Sequence, residues 1–177
     1  MTERRPATPV RWFAVGTGVL IVGLIGILAF GSDDRLDPAS RVLGQRVPEI
    51  AGPTLDGGHY DVDDARGRWV VVNFFATWCP GCVNEHPELV EFDRWARRTG
   101  EAEVVAVVFN DPPERVAAFF DEHGGDWPLL DDSTIPLEFQ VSQIPETFVV
   151  APSGLVVQHI AGEVDADTLI ALIEDNS

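Results

Sequence analysis

Cys79 and Cys82 are the only cysteines in this 177-residue chain, and they stand as C-x-x-C. They lie within VVVNFFATWCPGCVNEHP, Val70 to Pro87, which reads as a buried strand over Val70–Ala76, a short turn and a helix that begins at a cysteine. A helix N-terminus carries unsatisfied N–H donors and a partial positive charge. A thiolate at Cys79 is therefore stabilised, its pKa falls, and it becomes the attacking group in thiol–disulfide exchange. Cys82, one turn into the helix, is near enough to attack the mixed disulfide so formed. Other uses of the pair fit less well. A purely structural disulfide here closes a very short loop, at the low end of the usual roughly 2–4 kcal/mol. Zinc wants four ligands, and the chain has no second C-x-x-C and no closely spaced histidine pair. Covalent haem attachment needs a histidine directly after the second cysteine, where Val83 stands. The pattern points to redox chemistry carried by the protein's own sulfur, with no metal and no cofactor.

A strand and a helix must hold such a pair, and the flanking chain alternates the two. Val70–Ala76 is a near-continuous apolar run, as in a central strand covered on both faces. Pro80 to Arg98 is the predicted helix, with Pro80 in its first turn, where a missing N–H costs nothing. Before it, Glu49–Asp61 reads as a hairpin turning at Asp56-Gly57-Gly58, and Val62–Gly67 as a short acidic connection. After it come a buried strand over Val104–Phe109 and an amphipathic helix over Pro112–His123 with Val116, Phe119 and Phe120 inward. Trp127–Leu130 reads as a loop or short strand and Ile135–Phe139 as a brief helical turn. Thr147–Val150 and Val156–Ile160 form a second hairpin around Pro152-Ser153-Gly154. Asp165–Asp175 is a final helix with Leu169, Leu172 and Ile173 as its stripe. This order predicts an α/β fold: a mixed central sheet flanked by helices on both faces.

The formal charge is −17, and all twelve basic residues are arginine. Residues 1–31 set Arg4, Arg5 and Arg11 against Glu3, a net of +2, while the remainder sets nine arginines against 28 acids, a net of −19. So acidic a surface argues against nucleic acid or anionic lipid as a partner of the folded domain. Trp12 to Phe30 is 19 residues without a charge. As a helix it spans roughly 28 Å, close to the hydrocarbon core of a bilayer. Arginines before it and acids after it (Asp33, Asp34, Asp37) place residues 1–11 in the cytoplasm and the rest outside. The expected organisation is a cytoplasmic N-terminus (1–11), a transmembrane signal-anchor (12–30), a linker (31–46) and a folded domain (47–177). A cleaved signal peptide is the competing reading; the apolar run is longer than a signal core, and no clear A-x-A site follows Phe30. Both readings export the domain.

With WCPGC placed after a buried strand, and Ile144-Pro145 at the entry to a hairpin, the chain resembles thioredoxin-fold proteins. The phrases GRWVVVNFFATWCPGCVNEHPEL and QIPETFVVAPSGLVVQHIAGEV resemble more closely the membrane-tethered thioredoxin-like reductases of cytochrome c biogenesis, the ResA/DsbE (CcmG)/TlpA group. The likeness runs from about Val47 to Ile173. It implies that Cys79 is the nucleophile and Cys82 the resolving thiol of a redox-active disulfide. It implies that Pro145 is a cis-proline facing that disulfide, leaving the backbone of Ile144 free to pair with an extended substrate. Asn73 stands where cytoplasmic thioredoxins carry a buried aspartate. Glu85, three residues after Cys82 and on its side of the helix, is the implied proton acceptor for Cys82. Glu146 is a second acid near the site; a carboxylate there would disfavour the thiolate, and a solvated loop charge is the alternative. Trp78, Pro80, Gly81, Ile144 and Glu146 are the expected substrate-contact positions. Pro80-Gly81 reverses the Gly-Pro of thioredoxin, a departure that bears on reduction potential. His86, at i+4 from Cys82, is placed to sense the thiols but reads more readily as a helix-surface histidine, and His59, His123 and His159 have no evident companions.

These readings converge on a membrane-anchored, extracytoplasmic thiol–disulfide oxidoreductase. By resemblance, its substrates are protein disulfides, apocytochrome c among them, and a membrane-embedded thiol carrier supplies its electrons. The rivals are a general exported disulfide oxidoreductase with other clients and, from a different class, a non-catalytic thioredoxin-fold adaptor. A peroxidase is a weaker rival: an N-terminal hairpin before the strand also resembles peroxiredoxins, which do not carry WCxxC at this place.

Overall fold

A computed structural model describes residues 41–177 of the chain. The expected cytoplasmic segment, the membrane helix over 12–30 and the linker up to residue 40 lie outside the described residues. Among the described residues no helix is long and apolar enough to cross a membrane.

The sheet is built around β3 (Trp69–Phe75), whose seven residues are all buried. It pairs in parallel with β4 (Ala102–Val108) and antiparallel with β6 (Glu146–Val150). Between β3 and β4 runs α1 (Pro80–Thr99). After β4 come α2 (Pro113–His123), the short strand β5 (Leu129–Leu130) and α3 (Thr134–Glu138); β7 (Val156–Ala161) and α4 (Ala166–Glu174) follow β6. The strand order is β5-β4-β3-β6-β7. This is the mixed sheet expected from the sequence, with most element ends within a residue or two of their predicted places.

An uninterrupted apolar strand is possible here because both faces of β3 are covered. Val71 and Phe75 face a layer made by Leu89, Phe92 and Ala96 of α1, Val116 and Phe120 of α2, and Leu169 and Ile173 of α4. Val70, Val72 and Phe74 face Ile50, Tyr60, Ile135, Phe139 and Phe148. On that second face Phe74, Phe139 and Phe148 meet edge to face, with centroids 4.9–5.8 Å apart.

The hairpin of β1 (Ala51–Pro53) and β2 (His59–Asp61) covers one sheet edge. Leu55 N–H bonds to Leu129 O at 3.0 Å, and Thr54 bridges Leu130. The other edge is covered by residues 44–46, where Gly44 N–H and Gln45 O bond to Val156 and Arg46 bridges Leu155. Val42 is buried as well. The packed domain thus begins before Val47: residues 41–46, assigned to the linker by composition, satisfy an exposed strand edge. At the β6–β7 turn, Gly154 has φ +83°, and a Cβ there would collide with the Arg66 guanidinium. Arg66 reaches over this bare backbone to the carbonyl of Ser153 at 2.6 Å.

Candidate active site

The two cysteines sit where β3 ends and α1 begins, joined as a disulfide with their Cα atoms 5.3 Å apart. Cys79 is the N-cap of α1, and its Sγ accepts the Cys82 N–H at 3.1 Å. The helix terminus therefore directs a backbone donor at this sulfur, as the sequence predicts. Cys82 is 0% exposed and Cys79 4%. Trp78, 51% exposed, stands beside them, and Pro80 is exposed. The Trp78 indole N–H donates to the carbonyl of Asn110 at 3.0 Å.

The turn carrying Trp78 is held from below by Asp111, which the sequence reading did not single out. Its Oδ2 accepts both the N–H and the hydroxyl of Thr77, each at 2.6 Å, and Arg115 lies 3.6 Å from its Oδ1. Replacing Asp111 by alanine removes the one acceptor shared by a part-buried N–H and O–H. We expect a loss of about 2–3 kcal/mol in urea unfolding, with Trp78 fluorescence shifted towards that of a mobile, hydrated indole.

Ile144-Pro145 is a cis peptide, as expected. Pro145 reaches the cysteine loop through Gly81. A Cβ on Gly81 would stand 3.1 Å from Pro145 Cδ and 3.3 Å from Glu163 Oε1. Gly81→Ala must therefore push Pro145 or Glu163 aside, while gaining about 1 kcal/mol of helix propensity. We expect kcat/KM for a peptide disulfide to fall several-fold, the reaction with dithiothreitol to be unchanged, and thermal stability to move little. Equal losses with both substrates would show that the space over Gly81 does not matter for docking.

Behind the disulfide lies a buried polar cluster. Asn73 Nδ2 donates to Glu85 Oε1 at 2.8 Å and to Thr147 Oγ1 at 3.0 Å, and Val164 N–H donates to Glu85 Oε2 at 3.2 Å. Glu85, one of the expected site residues, is thus not an exposed helix glutamate: it is 1% exposed and ties α1 to β3 and to the start of α4. Burial pushes its carboxyl from 4.5 up to about 7, partly opposed by the hydrogen bonds from Asn73 and Val164, and the nearby Glu163 carboxylate pushes the same way as burial. A carboxyl poised near neutrality can accept or release a proton at working pH.

Two readings from sequence need correction. His86 is not a surface histidine: it is 2% exposed, with Nε2 2.9 Å from the carbonyl of Gly124. Burial pulls its pKa below 6.5. His123 and His159 do have companions: His123 Nδ1 lies 2.9 Å from the carbonyl of Phe119 and its ring stacks on Phe119 with centroids 4.2 Å apart, while His159 Nε2 lies 2.8 Å from Glu146 Oε2 and its ring stacks on Phe148 with centroids 4.5 Å apart. Glu146 is accordingly no solvated loop charge. It is 1% exposed, and alternation along β6 turns it to the sheet face of Phe148, away from the face of Thr147, Asn73 and Glu85. Glu163 is the site residue the sequence reading missed. It is exposed, lies over Gly81 and accepts from Asn84 Nδ2 at 3.3 Å. Nothing local to Glu163 signals this role, because only the packing of the β7–α4 loop on α1 brings it there.

A cavity of about 530 Å³, lined by Tyr60, Arg68, Asp93, Glu103 and Trp127 among others, lies at the opposite end of the sheet from the cysteines. The disulfide sits instead beside the exposed Trp78, with Pro145 and Glu163 against Gly81. Among the described residues no group of three or more His, Cys, Asp or Glu is arranged to hold a metal ion.

Residues 43–159 match the profile of the AhpC/TSA family. A thiol:disulfide interchange protein DsbE homologue of Paracoccus denitrificans is 30% identical over 145 residues, covering 79% of this chain and 77% of that protein. The thiol-disulfide oxidoreductase ResA of Bacillus subtilis is 27% identical over 152 residues, covering 84% of each. In three dimensions, a thioredoxin-family thiol:disulfide interchange protein of Chlorobium tepidum superposes with a TM-score of 0.68 at 24% identity, covering 73% of this chain and 94% of that one, which establishes the thioredoxin fold.

Proposed function

Since this chain belongs to the AhpC/TSA family, and is a thiol–disulfide oxidoreductase of the ResA/DsbE type, we propose that it is an extracytoplasmic reductase held at the membrane by residues 12–30. Residues 1–11 remain in the cytoplasm, the stretch before the packed domain acts as a tether, and the clients are protein disulfides, apocytochrome c first among them. The observation that carries this reading is the disulfide at the head of α1 with a buried, near-neutral carboxyl, Glu85, one turn behind Cys82.

The reduced Cys79 thiolate attacks one sulfur of the client disulfide. A Cys79–client bond forms, and the other client sulfur leaves as a thiolate and takes up a proton. Cys82 then passes its proton to Glu85 and attacks Cys79 Sγ. The enzyme disulfide closes, the second client sulfur leaves, and the client has gained two electrons. Trp78, Pro80 and Gly81 form the surface against which the client lies, and Ile144 offers its backbone as an added strand beside Pro145. Glu146 backs this strand from the far face of the sheet through His159. A membrane-embedded thiol carrier returns the electrons. The compartment outside the membrane keeps cysteine pairs oxidised, so a client that must present free thiols for haem attachment needs such a reductant. The anchor raises the effective concentration of both partners.

The test is the equilibrium of Cys79–Cys82 with glutathione and dithiothreitol, together with reduction of an oxidised C-x-x-C-H peptide. A potential near or below thioredoxin's roughly −270 mV with turnover of the peptide is expected. A value near the roughly −120 mV of a strong oxidant would reverse the direction of electron flow and overturn the reductase reading.

A further inference from the structure

We propose that His86 accepts a hydrogen bond from the reduced Cys82 thiol, and so acts as a positioning residue that sets the balance between dithiol and disulfide. The proposal rests on Cys79 and Cys82 being the redox pair. His86 sits in an aromatic cage of Phe75, Phe119, Phe120 and Trp127, with ring centroids 4.9–6.0 Å away. Its Nε2 faces the carbonyl of Gly124, which can only accept. Nε2 therefore carries the ring proton, and Nδ1 keeps a lone pair. That Nδ1 is buried and has no hydrogen-bond partner. A buried acceptor without a donor is costly and uncommon in native structures.

The helix supplies the missing donor. His86 follows Cys82 by four residues in α1, so the two side chains share a face. Side chains on a helix lean back towards its N-terminus, which sets the imidazole over the turn holding Cys82. Nδ1 is bonded to the ring carbon that joins the side chain, and so is the ring nitrogen nearer the helix. In the disulfide Cys82 Sγ has no proton to donate. On reduction it gains one in the same fully buried place. The donor lacking in one redox state arises in the other. Glu85 has a different role: Asn73 and Val164 each donate one hydrogen bond to it, and its carboxylate keeps lone pairs for the proton that Cys82 gives up when the mixed disulfide is resolved.

A hydrogen bond made only in the dithiol stabilises the dithiol and makes the enzyme a milder reductant. The full-length chain, in detergent, would be equilibrated with glutathione as wild type and as His86→Phe, an aromatic replacement without the acceptor. We expect the variant's equilibrium to move about fivefold towards the disulfide, some 20 mV more negative at 29.6 mV per tenfold. A purely structural role would weaken both states alike and leave this ratio unmoved. The wild type gives a second readout: the ¹⁵N resonance of His86 Nδ1 should shift towards a hydrogen-bonded value on reduction, with Nε2 unchanged. Trp127 Nε1–H is the other unpartnered group in the cage, and a bond from it would be indifferent to redox state. An Nδ1 resonance identical in both states, or a ratio within twofold of wild type in a folded variant, overturns the proposal. A wild-type pair that does not equilibrate with glutathione at all overturns the redox reading itself, and this proposal with it.

Discussion

Replacing Cys82 by alanine should turn the enzyme into a trap that holds its client covalently, whereas replacing Cys79 should abolish exchange altogether. The asymmetry follows from position. Cys79 caps α1 beside the exposed Trp78, while Cys82 lies one turn deeper and is wholly buried. A client sulfur can approach only the first. Without it, turnover of a peptide disulfide should drop by about 10³-fold or more, as expected when a nucleophile is removed. Without Cys82 the first step still runs, and the mixed disulfide has no internal thiolate to resolve it. Non-reducing electrophoresis after acid quench and alkylation would show the adduct, and mass spectrometry would place it on Cys79. Adducts formed by Cys79→Ala and absent from Cys82→Ala would mean that the assigned order of attack is reversed. An activity that survives Cys79→Ser would favour the adaptor.

The second large effect is expected at Glu85. As the base for Cys82 it must be ionised, so resolution of the mixed disulfide should quicken as pH rises through about 7, where its carboxyl titrates. Glu85→Gln keeps the shape and loses the base. Single-turnover release of client at pH 8 should slow by about 10²-fold, the range usual for a positioned general base, and the limb near pH 7 should vanish. A slowed enzyme that retains this limb would assign the titration to another group.

The same carboxyl makes a signed prediction about stability. Its folded value, about 7, lies above the 4.5 of an unperturbed glutamate. Between these two values the folded protein keeps a proton that the unfolded chain releases. Glu85's contribution is therefore fully present below 4.5, declines as pH rises, and is lost above 7, a change of about 3 kcal/mol at 1.36 kcal/mol per unit. His86 opposes it: a histidine held neutral by burial costs stability as pH falls below 6.5. Comparing urea midpoints of wild type and Glu85→Gln across pH 4.5–8 cancels the histidine. The stability of wild type relative to the variant should fall by about 3 kcal/mol as pH rises through this range; a constant difference would mean that Glu85 is ionised throughout.

The central apolar run, the C-x-x-C at a strand–helix junction and the order of strands and helices are all legible in the amino-acid sequence alone. These features are local: an unbroken Val-rich segment must be covered on both faces, and a cysteine with proline after it begins a helix. Helical spacing likewise puts Glu85 and His86 near Cys82. It does not say what lies on the other side of them. Glu85 is buried because β3 offers Asn73 and the loop before α4 offers a backbone N–H. His86 is buried because α2 and the Gly124 carbonyl close over it. Neither covering element is near in sequence, so the same helical pattern fits a surface histidine equally well. The pairing of Glu146 with His159 depends on β6 and β7 being neighbours, and on the alternation that turns Glu146 away from Glu85. The seat of Glu163 over Gly81 depends on a glycine leaving room for it. Chain order and periodicity decide which residues can share a face; only the packing of distant segments decides which charges that face buries, and with what partners.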